Sequence, residues 1–314
     1  MFDKGCSVTS RAEQAALLAL TEAASAARIH WYELSDLVER AGSALALVDG
    51  AVAFPEEREI DIARALAAAV PAGSIGAWSD KLERILDEST WLTTVLDDSY
   101  PVNLRKIYNR PPFLFVRGRL DLSDERSVAV VGTRQASPEG RQQARHLSEE
   151  LVGRDVTVVA GLALGIDTAA HVAALDSGGR TVAVMGTGID RVYPAENRSL
   201  AEAIPAHGAL VSQFWPGTPP RRENFPLRNV VTSGIAMGTV VVEASSTSGA
   251  KMQARLALEH GKRLFLVEPL VLHEEWAQRY ARRPGATVVT SVDDVVAILD
   301  AEVAAERTAQ LSLF

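Results

Sequence analysis

Residues 127–140 read SVAVVGTRQASPEG: an apolar, β-branched run stops at Gly132, turns through Arg134 and enters a helix opened by Ser137 and Pro138. The same grammar returns in 155-DVTVVAGLALGIDTAAH-171, 181-TVAVMGTGIDR-191, 209-ALVSQF-214, 238-GTVVVEA-244 and 263-RLFLVE-268. None of these strands alternates strictly with polar residues, which is the pattern of parallel strands covered by helices on both faces. Helical stretches lie between them, one of them GAKMQARLALEHG, capped by Ser248. The fold expected is α/β, a Rossmann-like doubly wound and mostly parallel sheet.

In such a sheet the turns that leave the strands collect at the carboxyl edge, where helix N-termini present unpaired N–H groups suited to an anion. Three turns carry candidate groups. The first offers Gly132, Thr133, Arg134 and Ser137. The second offers Gly161, Gly165 and Asp167, with His171 four residues on; Asp167 either orders the turn as a capping carboxylate or binds a sugar or base edge, and His171 reads as structural. The third, 217-GTPPRRENFPLRN-229, brings Arg221, Arg222 and Arg228 against Glu223 alone, beside Phe225 and Asn229. Guanidinium groups pair with phosphates in forked geometry and an aromatic face stacks an unpaired base, although arginine clusters also occur as solvated loops. A nicotinamide site would need G-x-G-x-x-G; the first turn has one glycine in register, and GTGIDR puts Arg191 where the third belongs.

The net charge of −8, from 32 Lys and Arg against 40 Asp and Glu, argues against coating duplex DNA by bulk electrostatics and confines any positive potential to a local groove. Cys6 is the single cysteine, which excludes an intrachain disulfide and a thiolate metal cluster and suits a reducing cytoplasm. The opening MFDKGCSVTSRAEQ lacks the apolar stretch of a signal peptide or membrane span. A cytoplasmic protein without cofactor or metal is expected.

Residues 1–95 differ in composition. RAEQAALLALTEAASAA, ELSDLVERAG and REIDIARALAAAV give amphipathic helices, two of them closed by Gly42 and Gly50. Next, 91-WLTTVLDDSYPVNLRKIYNRPPFLFVRG-118 is punctuated by Pro101, Pro111 and Pro112, which preclude a long helix. The expected organisation is a helical domain over 1–95, a Rossmann-like domain over 96–300, and a helix end with a tail over 301–314.

The ordered set YPVNLRKIYNRPPFLFVRG, VAVVGTRQASPEG, AGLALGIDTAAH, GTGIDRVYPAEN, ENFPLRN and VVVEASSTSGAKMQA resembles the DprA/Smf family of DNA-processing proteins over roughly residues 97–268. The resemblance implies an extended Rossmann-like domain, active as a homodimer, that binds single-stranded DNA without sequence preference and loads a RecA-type recombinase in DNA uptake and natural transformation, with no enzymatic activity. It places Gly132, Thr133, Arg134 and Ser137 on one DNA-contacting loop and Gly161, Gly165 and Asp167 on a second. Arg228 and Asn229 match its FPxRN element, and Ser248 and Gly249 its serine-glycine turn, with Lys251 one turn further on. Leu164 and Val230 stand where the family usually has basic residues, which implies weaker phosphate binding. The segment EPLVLHEEWAQRYARRPGATVV replaces a glycine- and serine-rich stretch, and EAASAARIHWYELSDLVERAG lacks the Gly-Ile-Gly of a helix-hairpin-helix. No winged-helix domain is expected beyond residue 314.

The terminal pentapeptide Gln310, Leu311, Ser312, Leu313 and Phe314 resembles the linear motif by which bacterial proteins dock on the DNA polymerase sliding clamp, with Leu313 and Phe314 entering an apolar pocket; folding back on its own domain is the alternative. Two other classes stay open. One is a nucleoside-monophosphate phosphoribohydrolase, with VVVEASSTSG holding a phosphate and Glu243 as acid or base, against which stand the missing glycine pair and the position of Glu243 ahead of the loop. The other is a nucleotide-sensing or partner-docking scaffold.

Overall fold

Alanine and leucine at helical spacing make α1 (Arg11–Ala26), which starts where the Ser10 hydroxyl accepts from the Glu13 amide at 3.2 Å and is buried along most of its length. Around it pack α2 (Trp31–Ala41), α3 (Ala44–Val48), α4 (Glu57–Ala69) and α5 (Ser74–Ile85). Gly42 ends α2 in the left-handed region, and the Glu13 carboxylate accepts from Ser43 Oγ at 2.5 Å and the Ala44 amide at 2.7 Å to start α3. The computed structural model describes residues 9–311 and divides the chain into two units, Met1–Arg117 and Gly118–Phe314. Cys6 lies outside the described residues.

The proline-punctuated segment forms an antiparallel pair, β1 (Thr90–Thr94) with β2 (Phe113–Gly118), in register from Thr90 opposite Arg117 to Thr94 opposite Phe113. Only the single turn α6 (Val102–Arg105) interrupts the connection, as three prolines require. Tyr100 donates its hydroxyl to the Pro111 carbonyl at 2.6 Å, and Arg110 pairs with Asp36 at 2.5 Å and Glu39 at 2.6 Å. The division into units falls after this pair and not near residue 95, because the β1–β2 register ties together the two sides of that point.

The second unit alternates β3 (Ser127–Val131), α7 (Pro138–Val152), β4 (Thr157–Ala160), α8 (Ile166–Asp176), β5 (Thr181–Val184), α9 (Arg198–Ala203), β6 (Gly208–Ser212), α10 (Asn224–Ile235), β7 (Gly238–Val241), α11 (Gly249–Glu259), β8 (Arg263–Val267), α12 (Glu268–His273), α13 (Glu275–Ala281), β9 (Ala286–Val289) and α14 (Val292–Leu311). Its strands run parallel in the order β6-β5-β4-β3-β7-β8-β9. β3 through β7 are buried along their whole length, which is why their sequences show no alternation. α7 packs on α8, and α10 on α11. The chain winds outward from β3 to β6, then returns through α10 to place β7 on the other side of β3, so the switch point lies between β3 and β7. β9 was not expected from sequence; its TVV core is short, sits at the sheet edge and leaves Val288 40% exposed. Among the described residues no single helix is long and apolar enough to cross a membrane. Gln310 and Leu311 end α14, and Ser312, Leu313 and Phe314 lie outside the described residues.

His171, on α8, is fully buried and its Nδ1 lies 2.6 Å from Thr181 Oγ1, which itself donates to the Val158 carbonyl at 2.8 Å. Because the hydroxyl proton is committed to Val158, the imidazole is the donor, neutral and protonated at Nδ1. Burial, aided by the charge of Arg228, pushes its pKa from 6.5 down to about 3. The unfolded chain therefore holds one more proton between those values, and stability falls as pH drops through that window, by at most about 1.4 kcal/mol per pH unit. Replacing His171→Gln removes the titrating group, so the unfolding free energy from denaturant titrations should decline less steeply between pH 6.5 and 4.5 than in the parent. Equal slopes would show that His171 is not buried neutral.

Candidate nucleic-acid interface

The first loop runs from Gly132 to Ser137 and continues the β3–β7 ladder beyond the strands: the Val242 amide donates to Val131 O at 3.0 Å and the Thr133 amide to Glu243 O at 2.6 Å. At its far end the Ser137 amide and hydroxyl donate to Glu243 Oε2 at 3.0 and 2.8 Å, while Ser137 Oγ accepts from the Gly140 amide at 2.9 Å. The start of α7 is therefore already engaged by a carboxylate of the same chain. Ser137, grouped by sequence with the ligand-contacting residues, spends both donors internally. Arg134 and Gln135 are left exposed at the apex.

The second loop is bonded to the first, with the Ile166 amide donating to Thr133 O at 3.3 Å. Asp167 is 5% exposed, and its Oδ2 accepts from the Gly161 and Ala163 amides at 3.1 and 3.3 Å. Of its two sequence readings, ordering the turn is the one this geometry performs. Burial raises its pKa against the opposing pull of Arg228 and of the two amides. Asn197 completes the support by donating to Leu162 O at 3.0 Å.

The third contribution comes from the first turns of α10. Arg228 is 7% exposed; its Nη1 donates to the Val184 carbonyl at 2.9 Å and its Nε to Asn229 Oδ1 at 3.1 Å. It passes so close to the second loop that a Cβ on Gly161 would lie 1.6 Å from Nη1. Desolvation lowers its pKa while Asp167 opposes the shift, and a guanidinium stays charged under both influences. Phe225 lies one turn earlier, with the guanidinium carbons of Arg134 and Arg228 at 4.8 and 6.0 Å from its ring centroid and the Tyr193 ring at 6.0 Å, tilted by 45°. Arg134 and Arg228, both candidate groups by sequence, thus share one aromatic ring but differ in setting: Arg134 is exposed and Arg228 is buried.

Arg134, Leu164, Tyr193, Phe225 and Arg228 line a small depression of about 60 Å³. Leu164 at 39%, Tyr193 at 44% and Leu227 at 50% exposure give this part of the surface an apolar character beside its charge. A much larger cleft, about 1200 Å³, lies beside Thr133, Gln135 and Ser137 of the same loop. Its charged lining includes Glu139, Glu149, Glu243 and Glu274, and its Arg145 is paired with Asp176 at 3.1 Å, a setting that repels a polyanion.

Gly132, Thr133, Arg134, Gly161, Gly165, Asp167, Arg228 and Asn229 are thus brought together by the bond between the first two loops and by the packing of Arg228 against Gly161. Arg221 and Arg222 are exposed just before α10, Arg221 within 4.0 Å of Glu223. Ser248 caps α11 by accepting from the Ala250 amide at 3.2 Å, and Lys251 Nζ donates to Ser246 O at 3.2 Å. Ser248, Gly249 and Lys251 line neither cavity. Sequence reasoning did not single out Tyr193, Pro194 or Gly186, although all three lie in the quoted GTGIDRVYPAEN; an exposed tyrosine before proline in a glycine-rich turn was the available signal.

A family model described as DNA recombination-mediator protein A matches residues 91–300. The DNA processing protein DprA of Streptococcus pneumoniae is 39% identical over 205 residues, covering 65% of this chain and 72% of that protein. DprA of Bacillus subtilis is 34% identical over 235 residues, covering 73% and 79%. Among solved structures, DprA from S. pneumoniae superposes with a TM-score of 0.68 at 29% identity, over 93% of this chain and 98% of that one. The DprA of Helicobacter pylori, whose structure is described for its single-stranded DNA binding mode, shares the fold with a TM-score of 0.60 at 23% identity, over 68% of this chain and 96% of that one.

The packing of the two loops gives a test by paired substitution. Gly165 and Gly178 both have positive φ, at 81° and 70°, but a Cβ on Gly165 would fall 2.3 Å from Thr133 O whereas one on Gly178 meets nothing within 4 Å. Gly178→Ala should cost about 1 kcal/mol from backbone strain alone, and Gly165→Ala about 3 kcal/mol from strain and overpacking together. Chemical denaturation of the two variants measures the difference; equal costs would contradict the loop contact.

Proposed function

The chain belongs to the DNA recombination-mediator protein A family, and from that premise we propose that it binds single-stranded DNA along the carboxyl edge of the second unit, with Arg134 as the exposed phosphate contact. The observation that carries this reading is the cluster in which Arg134 lies over Phe225 at 4.8 Å, beside Tyr193 and above the buried Arg228. Arg134 offers a cation for the phosphate and the half-exposed Tyr193 beside Phe225 an aromatic ring for an unpaired base, and a duplex offers no free base to that ring. The single-stranded DNA binding described for the H. pylori relative supports the same ligand.

In this reading Arg228 and Asp167 hold the floor, and Gly132, Thr133, Gly161 and Gly165 shape the two loops. Arg221, Arg222 and Asn229 extend the path along α10, and Ser248, Gly249 and Lys251 extend it at α11. Guanidinium and amide contacts to the backbone carry no sequence information, so binding is non-specific. Leu164 and Val230 supply no charge where the resemblance implies it, which leaves fewer phosphate contacts and a shallower salt dependence. The protein acts in the cytoplasm as a recombination mediator, a homodimer that loads a RecA-type recombinase, and we assign it no catalytic role. The phosphoribohydrolase alternative loses support because the Glu243 carboxylate is engaged by the Ser137 amide and hydroxyl. The helices α1–α5 of the first unit act in packing or in docking a partner.

Oligo-dT should bind more tightly than a duplex of equal length, as measured by fluorescence anisotropy. Arg134→Ala should weaken oligo-dT binding about tenfold, the worth of one charge-assisted hydrogen bond. It should also reduce the slope of log K against log salt by about 0.7, the value for one phosphate contact on a single strand. Preference for duplex, or an unchanged affinity for this variant, would reject the assignment.

The segment 310–314 is the second docking element we propose, for the bacterial sliding clamp, supported by the match of Gln310, Leu311, Ser312, Leu313 and Phe314 to the clamp-docking pattern. Deleting these five residues should abolish capture of purified clamp in surface plasmon resonance. A complex that survives the deletion would remove the motif from the account.

A further inference from the structure

Glu243 touches the first loop at both of its ends. Its main-chain oxygen accepts from the Thr133 amide at 2.6 Å, and its carboxylate accepts from the Ser137 amide at 3.0 Å and the Ser137 hydroxyl at 2.8 Å. Between these two points lie only Arg134, Gln135 and Ala136. The chain also keeps position 140 clear for this carboxylate, since a Cβ on Gly140 would lie 1.8 Å from Glu243 Oε2.

Helix capping does not account for the arrangement. Ser137 Oγ already accepts from the Gly140 amide at 2.9 Å, which is the N-cap bond of α7. The extra bonds of the carboxylate go to the Ser137 amide and hydroxyl, and the amide belongs to the loop ahead of the first helical residue. Nor is Glu243 placed for its charge, because a carboxylate beside a polyanion site weakens attraction. What it gains is geometric. With both ends fixed, the three-residue arch has little freedom, and the Arg134 guanidinium is held over Phe225 before a strand arrives.

We propose that Glu243 is the positioning residue of the interface, pinning the Thr133–Ser137 arch so that Arg134 is preorganised for the phosphate. This inference rests on the single-stranded DNA reading above. It concerns a residue that makes no contact with the ligand.

The test is a double-mutant cycle on oligo-dT affinity in the full chain, combining Arg134→Ala with Glu243→Ala and, separately, with Gly140→Ala, which displaces the carboxylate without removing it. If Glu243 acts through Arg134, Glu243→Ala weakens binding about fivefold when Arg134 is present and less than about twofold when it is absent. Gly140→Ala should reproduce that pattern, and Glu243→Gln, which keeps one acceptor, should fall between the parent and Glu243→Ala. Equal loss in both Arg134 backgrounds would reduce Glu243 to a general structural residue and overturn the proposal. Tighter binding by Glu243→Gln would overturn it as well, because that outcome belongs to a charge acting only through its field. Should Glu243→Ala fail to fold, the Gly140→Ala cycle decides. Loss with Arg134→Ala but none with either Glu243 variant sinks this inference alone, whereas no loss with Arg134→Ala sinks the DNA reading on which it stands.

Discussion

A guanidinium buried under the carboxyl edge of a parallel sheet is the constraint on which this surface depends. Removing a charge from water costs several kcal/mol unless the surroundings answer it. Here a strand-end carbonyl from β5, the side-chain oxygen of Asn229 and the nearby Asp167 carboxylate do so together. The arrangement leaves no room for a side chain at position 161, and it obliges Asp167 to stay buried on the amides of its own turn. β5, the turn after β4 and α10 are thereby fixed relative to one another, and Phe225 is fixed with them. The exposed arginine rests on a platform that the buried one helps to hold.

The acidity of the whole chain and the proposed affinity for a polyanion are reconciled by how charge is partitioned across one loop. Arg134 points to one side, where Phe225, Tyr193 and Leu164 surround it. Beside Thr133, Gln135 and Ser137 the larger cleft is lined by glutamates, and its arginine is already paired. The proposed phosphate contact thus sits at the small depression, away from the carboxylates of the large cleft. The proposed site therefore follows the local sign of charge and not the size of the cavity.

The alternation of strand and helix was legible because five central strands are buried on both faces, which imposes β-branched runs with no polar period. The helix openings at Ser137 and Ser248 were legible because an N-cap is a local event between one side chain and an amide two or three residues on. β9 escaped because a short edge strand needs few apolar residues and borrows its order from β8. The inequality of Arg134 and Arg228 was invisible for a different reason: two arginines read alike until tertiary packing shows which one has lost its water. The place of Tyr193 beside Phe225 likewise depends on loops 32 residues apart in sequence meeting over Gly186. Glu243 was read as a possible acid or base, since nothing local to it discloses that its partner lies 106 residues earlier.

The order of the strands carries a consequence for synthesis. Arg134 belongs to the first-formed wing of the sheet, while Phe225 and Arg228 ride on the crossover that carries the chain from β6 back to β7. Contacts this distant along the chain close slowly and late. A polypeptide still emerging from the ribosome has no aromatic platform until α10 is out, and its arch stays unpinned until Glu243 has followed. A chain stopped short of residue 243 would carry both arginines and the ring of Phe225 yet lack the carboxylate that meets the Ser137 amide and hydroxyl.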